Sequence, residues 1–118
     1  MERKLNIDEL KKIGITCPKN GLLIIQVSSR WCNSCRKLEL VLKKLEKQDS
    51  FKFIIIDIDT YPQLSQILKV STVPLLIFFR NGELIEKNIE INNFRFLKNG
   101  IMDSITSEYI IREILVQI

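Results

Sequence analysis

Leu22-Leu23-Ile24-Ile25-Gln26-Val27 runs through Ser28-Ser29-Arg30 into Trp31-Cys32-Asn33-Ser34-Cys35. The first six residues read as a buried strand, apolar on both faces, which is the habit of a strand inside a parallel sheet. From Ser34 to Lys47 the apolar residues Leu38, Val41, Leu42 and Leu45 recur at helical spacing. Two cysteines three apart therefore stand where a buried strand turns into a helix. Residues i and i+3 share one helical face, so the two sulfurs come within bonding distance without tearing the backbone. Cys32 opens the helix, where the dipole and the free N–H groups favour a thiolate. A pair built this way opens and closes a disulfide reversibly.

Working outward, Lys52 to Ile58 reads as a second buried strand ending in Asp57-Ile58-Asp59. Tyr61 to Leu68 is a short helix with Pro62 in its first turn. Strand, helix, strand, helix predicts parallel strands with right-handed crossovers. The pattern then changes. Pro74-Leu75-Leu76-Ile77-Phe78-Phe79 and Glu83-Leu84-Ile85 flank Arg80-Asn81-Gly82, and Asn-Gly between apolar runs signals a hairpin. Upstream, Asp8 to Ile13 is a first helix stopped by Gly14, and Cys17-Pro18-Lys19-Asn20-Gly21 is turn material. A last helix runs from about Ser107 to Gln117 with the stripe Ile110, Ile111, Ile114, Leu115 and Ile118. Asn92 to Asp103, containing Phe94-Arg95-Phe96-Leu97-Lys98-Asn99-Gly100, reads as an extra turn of strand or a packed loop. The expected class is α/β, a central mixed sheet with helices on both faces, in one domain spanning 1–118.

Composition narrows the function. A chain of 118 residues suggests one domain. A domain of that size buries roughly 65% of its unfolded surface, so its core needs neither disulfides nor metal. The excess of 18 basic over 14 acidic residues gives +4. That charge is spread over mixed-sign helices such as Lys43-Lys44-Leu45-Glu46-Lys47, which reads as solvated helix surface rather than a nucleic-acid site. No aromatic and basic strip suited to stacking on single strands is evident. The absence of alanine and histidine, with many Ile, Lys, Leu and Asn, reads as genome base bias. Met1 to Glu9 lacks the apolar core of a secretory signal. The longest apolar runs, Leu75 to Phe79 and Phe53 to Ile56, are too short to span a membrane. The expected compartment is a reducing cytoplasm, where a Cys-x-x-Cys pair is more often redox-active or metal-binding than a static bridge.

Cys32, at the exposed start of its helix, is the candidate nucleophile, and Cys35, one turn deeper, the candidate resolving thiol. Arg36 and Lys37 add positive charge within a turn. Cys32 would attack a substrate disulfide to form a mixed disulfide, and Cys35 would release the reduced substrate. Half of a zinc site is the competing reading, but three cysteines and no histidine fall short of about four ligands. Idle packing is the third. Trp31 either covers the thiolate and contacts a partner or is merely partly buried. Pro74 opens an apolar strand after Val73, and spacing alone leaves both cis and trans open. Cys17 reads as a small buried apolar side chain, with regulatory oxidation as the alternative.

Trp31-Cys32-Asn33-Ser34-Cys35, Asp57-Ile58-Asp59, Val73-Pro74 and the hairpin Phe78-Phe79-Arg80-Asn81-Gly82-Glu83, in that order, resemble the thioredoxin family across roughly Leu22 to Ile85. The resemblance implies a thioredoxin fold and a cofactor-free protein-disulfide oxidoreductase working in electron transport and cell redox homeostasis. It implies that Pro74 is cis beside the cysteines and that Val73 offers main-chain hydrogen bonds to an extended substrate. Trp31, Asn33 and Ser34 would line the same substrate surface. The implied partners are protein disulfides and a thioredoxin reductase or other dithiol donor, with the chain acting as a monomer, without nucleic acid or membrane.

Departures from the family pattern are as informative. Its usual Gly-Pro between the cysteines is Asn33-Ser34 here. Its buried aspartate falls at Gln26, which cannot accept a proton, and the lysine often paired with it falls at Ile55, so no lone charge is left buried. Gln26 and Arg36 are thus the candidates for tuning the pair, with a sign that the sequence does not supply. A second tryptophan is replaced by Ser28, the helix-kinking proline by Leu40, and the glycine expected after the hairpin is missing near Glu90-Ile91. A glutaredoxin-like chemistry is a neighbour, but that family carries Pro-Tyr between its cysteines. Two readings compete with the reductase: a binding module for one dedicated partner, and a metal or iron–sulfur protein whose site a second chain completes.

Overall fold

The computed structural model describes residues 5, 7–68, 72–103 and 107–118. Met1-Glu2-Arg3-Lys4, Asn6 and the Ser71 that precedes Thr72-Val73-Pro74 lie outside the described residues. Five successive residues of β1 (Leu22–Ser28), from Leu23 to Val27, are buried, and this strand is central for that reason. It pairs in parallel with β2 (Lys52–Asp57), in the register Leu23↔Lys52 to Ser28↔Asp57. It pairs antiparallel with β3 (Leu75–Arg80), in the register Leu22↔Arg80 to Val27↔Leu75.

Alternation of side chains across the pleat divides the core in two. Leu23, Ile25 and Val27, with Leu75, Ile77 and Phe79, meet Ile7 and Leu10 of α1 (Ile7–Lys12) and Leu64 and Leu68 of α3 (Gln63–Leu68). Ile24, Leu76 and Phe78 meet Leu38, Leu42 and Leu45 of α2 (Asn33–Gln48) and Ile110, Ile111 and Ile114 of α4 (Glu108–Gln117). This is the expected mixed sheet with helices on both faces. Ser107 caps α4, its Oγ accepting from Ile110 N at 3.4 Å. Cys17 is buried on the α1–α3 face, and that burial pushes its thiol up from the ordinary value.

Two expectations need correction. β2 is not a fully buried strand. It forms the free edge of the sheet, only Ile56 is buried along it, and Ile55 is 39% exposed. An apolar run does not by itself distinguish a strand covered on both faces from one lying at the rim. Pro62 lies one residue before α3 rather than inside it.

The region after β3 is neither one extra turn of strand nor a packed loop. Four short strands follow: β4 (Glu83–Leu84), β5 (Ile89–Ile91), β6 (Phe94–Leu97) and β7 (Ile101–Met102). β3 and β4 are joined through Asn81-Gly82, β5 and β6 through Asn92-Asn93, and β6 and β7 through Asn99-Gly100. All six turn residues have positive φ, between 50° and 83°. Two left-handed residues in succession define the tight turn whose twist suits a hairpin. β5 and β6 form a ribbon of their own, anchored by Ile89, Ile91 and Leu97 in the core that α4 covers. β7 returns to the main sheet and pairs with β3 through Leu76↔Met102 and Ile77↔Ile101. The strand bordering the first half of β3 is therefore β7, and Glu90-Ile91 belongs to the β5–β6 ribbon. Among the described residues no helix is long and apolar enough to cross a membrane.

Candidate active site

The site forms at the end of β1, where a turn leads into α2. Ser29 Oγ accepts from Trp31 N at 3.3 Å, and Ser29 O accepts from Cys32 N at 3.3 Å, which closes a turn. Cys32 then caps α2 in an extended conformation, and its Sγ accepts from Cys35 N at 3.1 Å. The sulfur does at this cap what a Ser or Asp oxygen usually does. The first turn of α2 contains no acidic residue, so nothing there opposes negative charge on Cys32. Ser34 Oγ lies 3.3 Å from Cys32 Sγ.

Cys32 and Cys35 are joined in a disulfide, with Cα atoms 5.2 Å apart. Cys32 is half-buried, whereas Cys35 is 1% exposed. The two sulfurs are thus unequal, one reachable from solvent and the other shielded under the helix. Beneath them Gln26 is completely buried in β1. Its Nε2 donates to Cys35 O at 2.8 Å, while its Oε1 is buried with no hydrogen-bond partner. Cys17 lies on the opposite face of the sheet, so the three cysteines do not converge.

Trp31 is 81% exposed, not partly buried. Its ring is tethered all the same, for Nε1 donates to Asp59 Oδ2 at 3.1 Å. Asp59 is fixed in turn by its own N–H donating to Asp57 Oδ1 at 2.8 Å, and Arg30 Nε lies 3.8 Å from Asp57 Oδ2. The parallel pairing of Ser28 with Asp57 brings these groups together. Asp59 was not among the candidate site residues. Its sequence signal was the acidic pair that ends β2, whose target becomes evident only once β2 lies beside β1. Arg36 points back along the surface, donating from Nη2 to Arg30 O at 3.2 Å. Asn33 is exposed.

The Val73–Pro74 bond is cis, Pro74 is buried and Val73 half-buried. Because Leu75 pairs with Val27, both residues fall at the same end of the sheet as the disulfide. Strand pairing therefore gathers Gln26, Trp31, Cys32, Ser34, Cys35, Val73 and Pro74 at one rim.

The thioredoxin family profile matches residues 7–103. The chain belongs to the thioredoxin family. It is 31% identical over 75 residues to the thioredoxin of Chlamydia trachomatis, covering 63% of this chain and 74% of that one. It is 23% identical over 95 residues to monothiol glutaredoxin-4 of Saccharomyces cerevisiae, covering 78% of this chain but only 39% of that protein. A variant thioredoxin from Halobacterium salinarum shares the fold, with a TM-score of 0.67 at 22% identity over 93% of this chain and 82% of that one. The thioredoxin match extends beyond Leu22 to Ile85 at both ends, taking in α1 and the β5–β6 ribbon. At the position of the family's helix-kinking proline, Leu40 is 69% exposed and α2 runs unbroken for 16 residues.

Proposed function

We propose that this thioredoxin-family chain is a thiol–disulfide oxidoreductase acting on protein disulfides in the cytoplasm. The observation that carries the reading is the unequal pair at the start of α2, with Cys32 reachable and Cys35 shielded. In the reduced protein the Cys32 thiolate, favoured by the Cys35 N–H and the helix dipole, attacks one sulfur of a substrate disulfide. The substrate S–S bond breaks, a mixed disulfide forms, and the second substrate sulfur leaves as a thiolate that takes a proton from water. Cys35 gives up its proton and attacks Cys32 Sγ. The Cys32–Cys35 bond forms as the remaining substrate thiolate departs. Two electrons have passed to the substrate, and a dithiol donor such as a thioredoxin reductase returns them.

In this reading Trp31, Asn33, Ser34, Val73 and Pro74 form the surface on which an extended substrate lies, and Gln26 and Arg36 tune the pair. Insulin reduction with dithiothreitol as electron source tests it. Wild type should accelerate insulin precipitation, and Cys32→Ser should lose the effect. Acceleration that survives Cys32→Ser overturns the reading.

A second reading is a module dedicated to one partner. It draws on the β5–β6 ribbon, where half-exposed Phe94 packs on Phe96 with ring centroids 4.6 Å apart. A Cys35→Ser trap separates the two: a broad set of mixed disulfides favours a general reductant, and a single dominant one favours the module.

A further inference from the structure

We propose that Gln26 is a positioning residue that biases the Cys32–Cys35 couple toward its dithiol form, its amide oxygen accepting the Sγ–H that Cys35 gains on reduction. The inference rests on the pair being redox-active, as proposed above. Among the described residues Gln26 is the one fully buried polar side chain, and its two amide arms differ. Nε2 is engaged by Cys35 O at 2.8 Å, whereas Oε1 is buried and unpartnered. The residues paired with Gln26 across the sheet are Ile55 and Leu76, and its β1 neighbours on the same face are Ile24 and Ser28. Ile55, Leu76 and Ile24 have no side-chain donor, and the Ser28 hydroxyl makes no hydrogen bond to Oε1. The group above it is Cys35, whose backbone the same amide already holds.

Reduction breaks the S–S bond. A dithiol donor supplies two electrons and two protons and leaves as a disulfide. A disulfide sulfur has no hydrogen to donate, but a thiol has one. Cys35 is 1% exposed, so its new S–H, a weak donor, can find an acceptor only inside the protein. Gln26 Oε1 is then unmade in the oxidised state and made in the reduced one. A buried acceptor left unmade is costly, and here that cost falls on the disulfide. The sign that the sequence left undetermined follows: the pair is easier to reduce than the same pair above an apolar side chain. The same bond holds Cys35 as a thiol rather than a thiolate until the resolving step.

The test equilibrates wild type and Gln26→Met with graded dithiothreitol redox buffers and reads the oxidised fraction by alkylation and gel shift. Gln26→Met keeps the side-chain length and removes the amide. Its exchange equilibrium should move roughly tenfold toward the disulfide, a potential 29.6 mV lower. No shift, or a shift the other way, overturns the proposal. Gln26→Glu, measured where its buried carboxyl is protonated, restores a donor and an acceptor and should return the wild-type value. Failure of that rescue also counts against it. If Gln26→Met does not fold, the infrared S–H band of Cys35 decides, taken as reduced wild type minus reduced Cys35→Ala. A band displaced by hydrogen bonding supports the assignment, and a free-thiol band overturns it. A pair that dithiothreitol cannot reduce refutes the oxidoreductase reading itself. A pair that titrates identically in wild type and Gln26→Met refutes only the role of Gln26.

Discussion

On one side of β3 the chain passes from β1 to β2 through the 16 residues of α2, whereas on the other it doubles back three times through two-residue turns. The α2 side is specified by burial. Leu38, Leu42 and Leu45 fit the stripe that Ile24, Leu76 and Phe78 present, and that periodicity needs no special backbone. The ribbon side is specified by conformation. Its strands are two to four residues long, each too short to show a period, and their pairing depends on turn residues held at positive φ. One end tolerates conservative apolar changes, and the other tolerates few changes at its turns.

The largest expected effect belongs to the α2 side. Leu42 is fully buried beneath the helix, and Leu42→Ala should cost about 2–5 kcal/mol in urea unfolding. β3 is shared, since it pairs with both β1 and β7. The loss should therefore appear equally in Trp31 fluorescence, which reports the disulfide end, and in far-ultraviolet circular dichroism. Transitions that separate would mean that the two sides unfold independently.

Next comes Gly100, in the turn from β6 to β7, at φ +81°. A Cβ there would run into the carbonyl oxygen of Ile85 and lie 2.9 Å from Leu84 Cδ1. Gly100→Ala should cost about 2–3 kcal/mol, combining left-handed strain with displacement of backbone. Gly21, at φ +78°, has open space around its missing Cβ, so Gly21→Ala should cost only the strain, about 1–2 kcal/mol. Equal losses in urea unfolding would show that the close approach to Ile85 contributes nothing.

These contrasts account for what the sequence disclosed. The strand, Cys-x-x-Cys and helix unit was legible because its signals are local: an apolar run, a stripe and a pair of thiols i and i+3 apart. The Asn81-Gly82 hairpin was legible for the same reason. The ribbon carried the same kind of signal in Asn92-Asn93 and Asn99-Gly100, but its strands are too short to show a period, so the turns lacked flanking runs to frame them. The edge position of β2 and the pairing of Trp31 with Asp59 were not legible, because both depend on which strands become neighbours. Gln26 was visible as an uncharged residue in an apolar strand, but the state of its two amide arms depends on α2 lying above it.

The smallest expected effect tests whether the two sides are also joined electrostatically. Glu108, at the start of α4, accepts from Lys44 Nζ of α2 at 2.9 Å and from Arg112 Nε at 3.1 Å. Arg112 Nη2 also donates to Gln48 Oε1 at 2.9 Å, so α4 is linked to α2 twice. Lys44 first, and Arg112 second, hold the Glu108 carboxyl below its ordinary 4.5. A carboxyl that is more acidic folded than unfolded stabilises the fold above that ordinary value, and its contribution fades as pH falls through the lower folded value. Glu108→Gln should therefore lower Tm slightly at pH 7, by an amount that shrinks as the pH is lowered through the folded value. The pair is solvent-exposed, so the deficit at pH 7 should also shrink in 1 M salt. A deficit that stays constant as the pH falls and in high salt would assign the α2–α4 contact to packing rather than to charge.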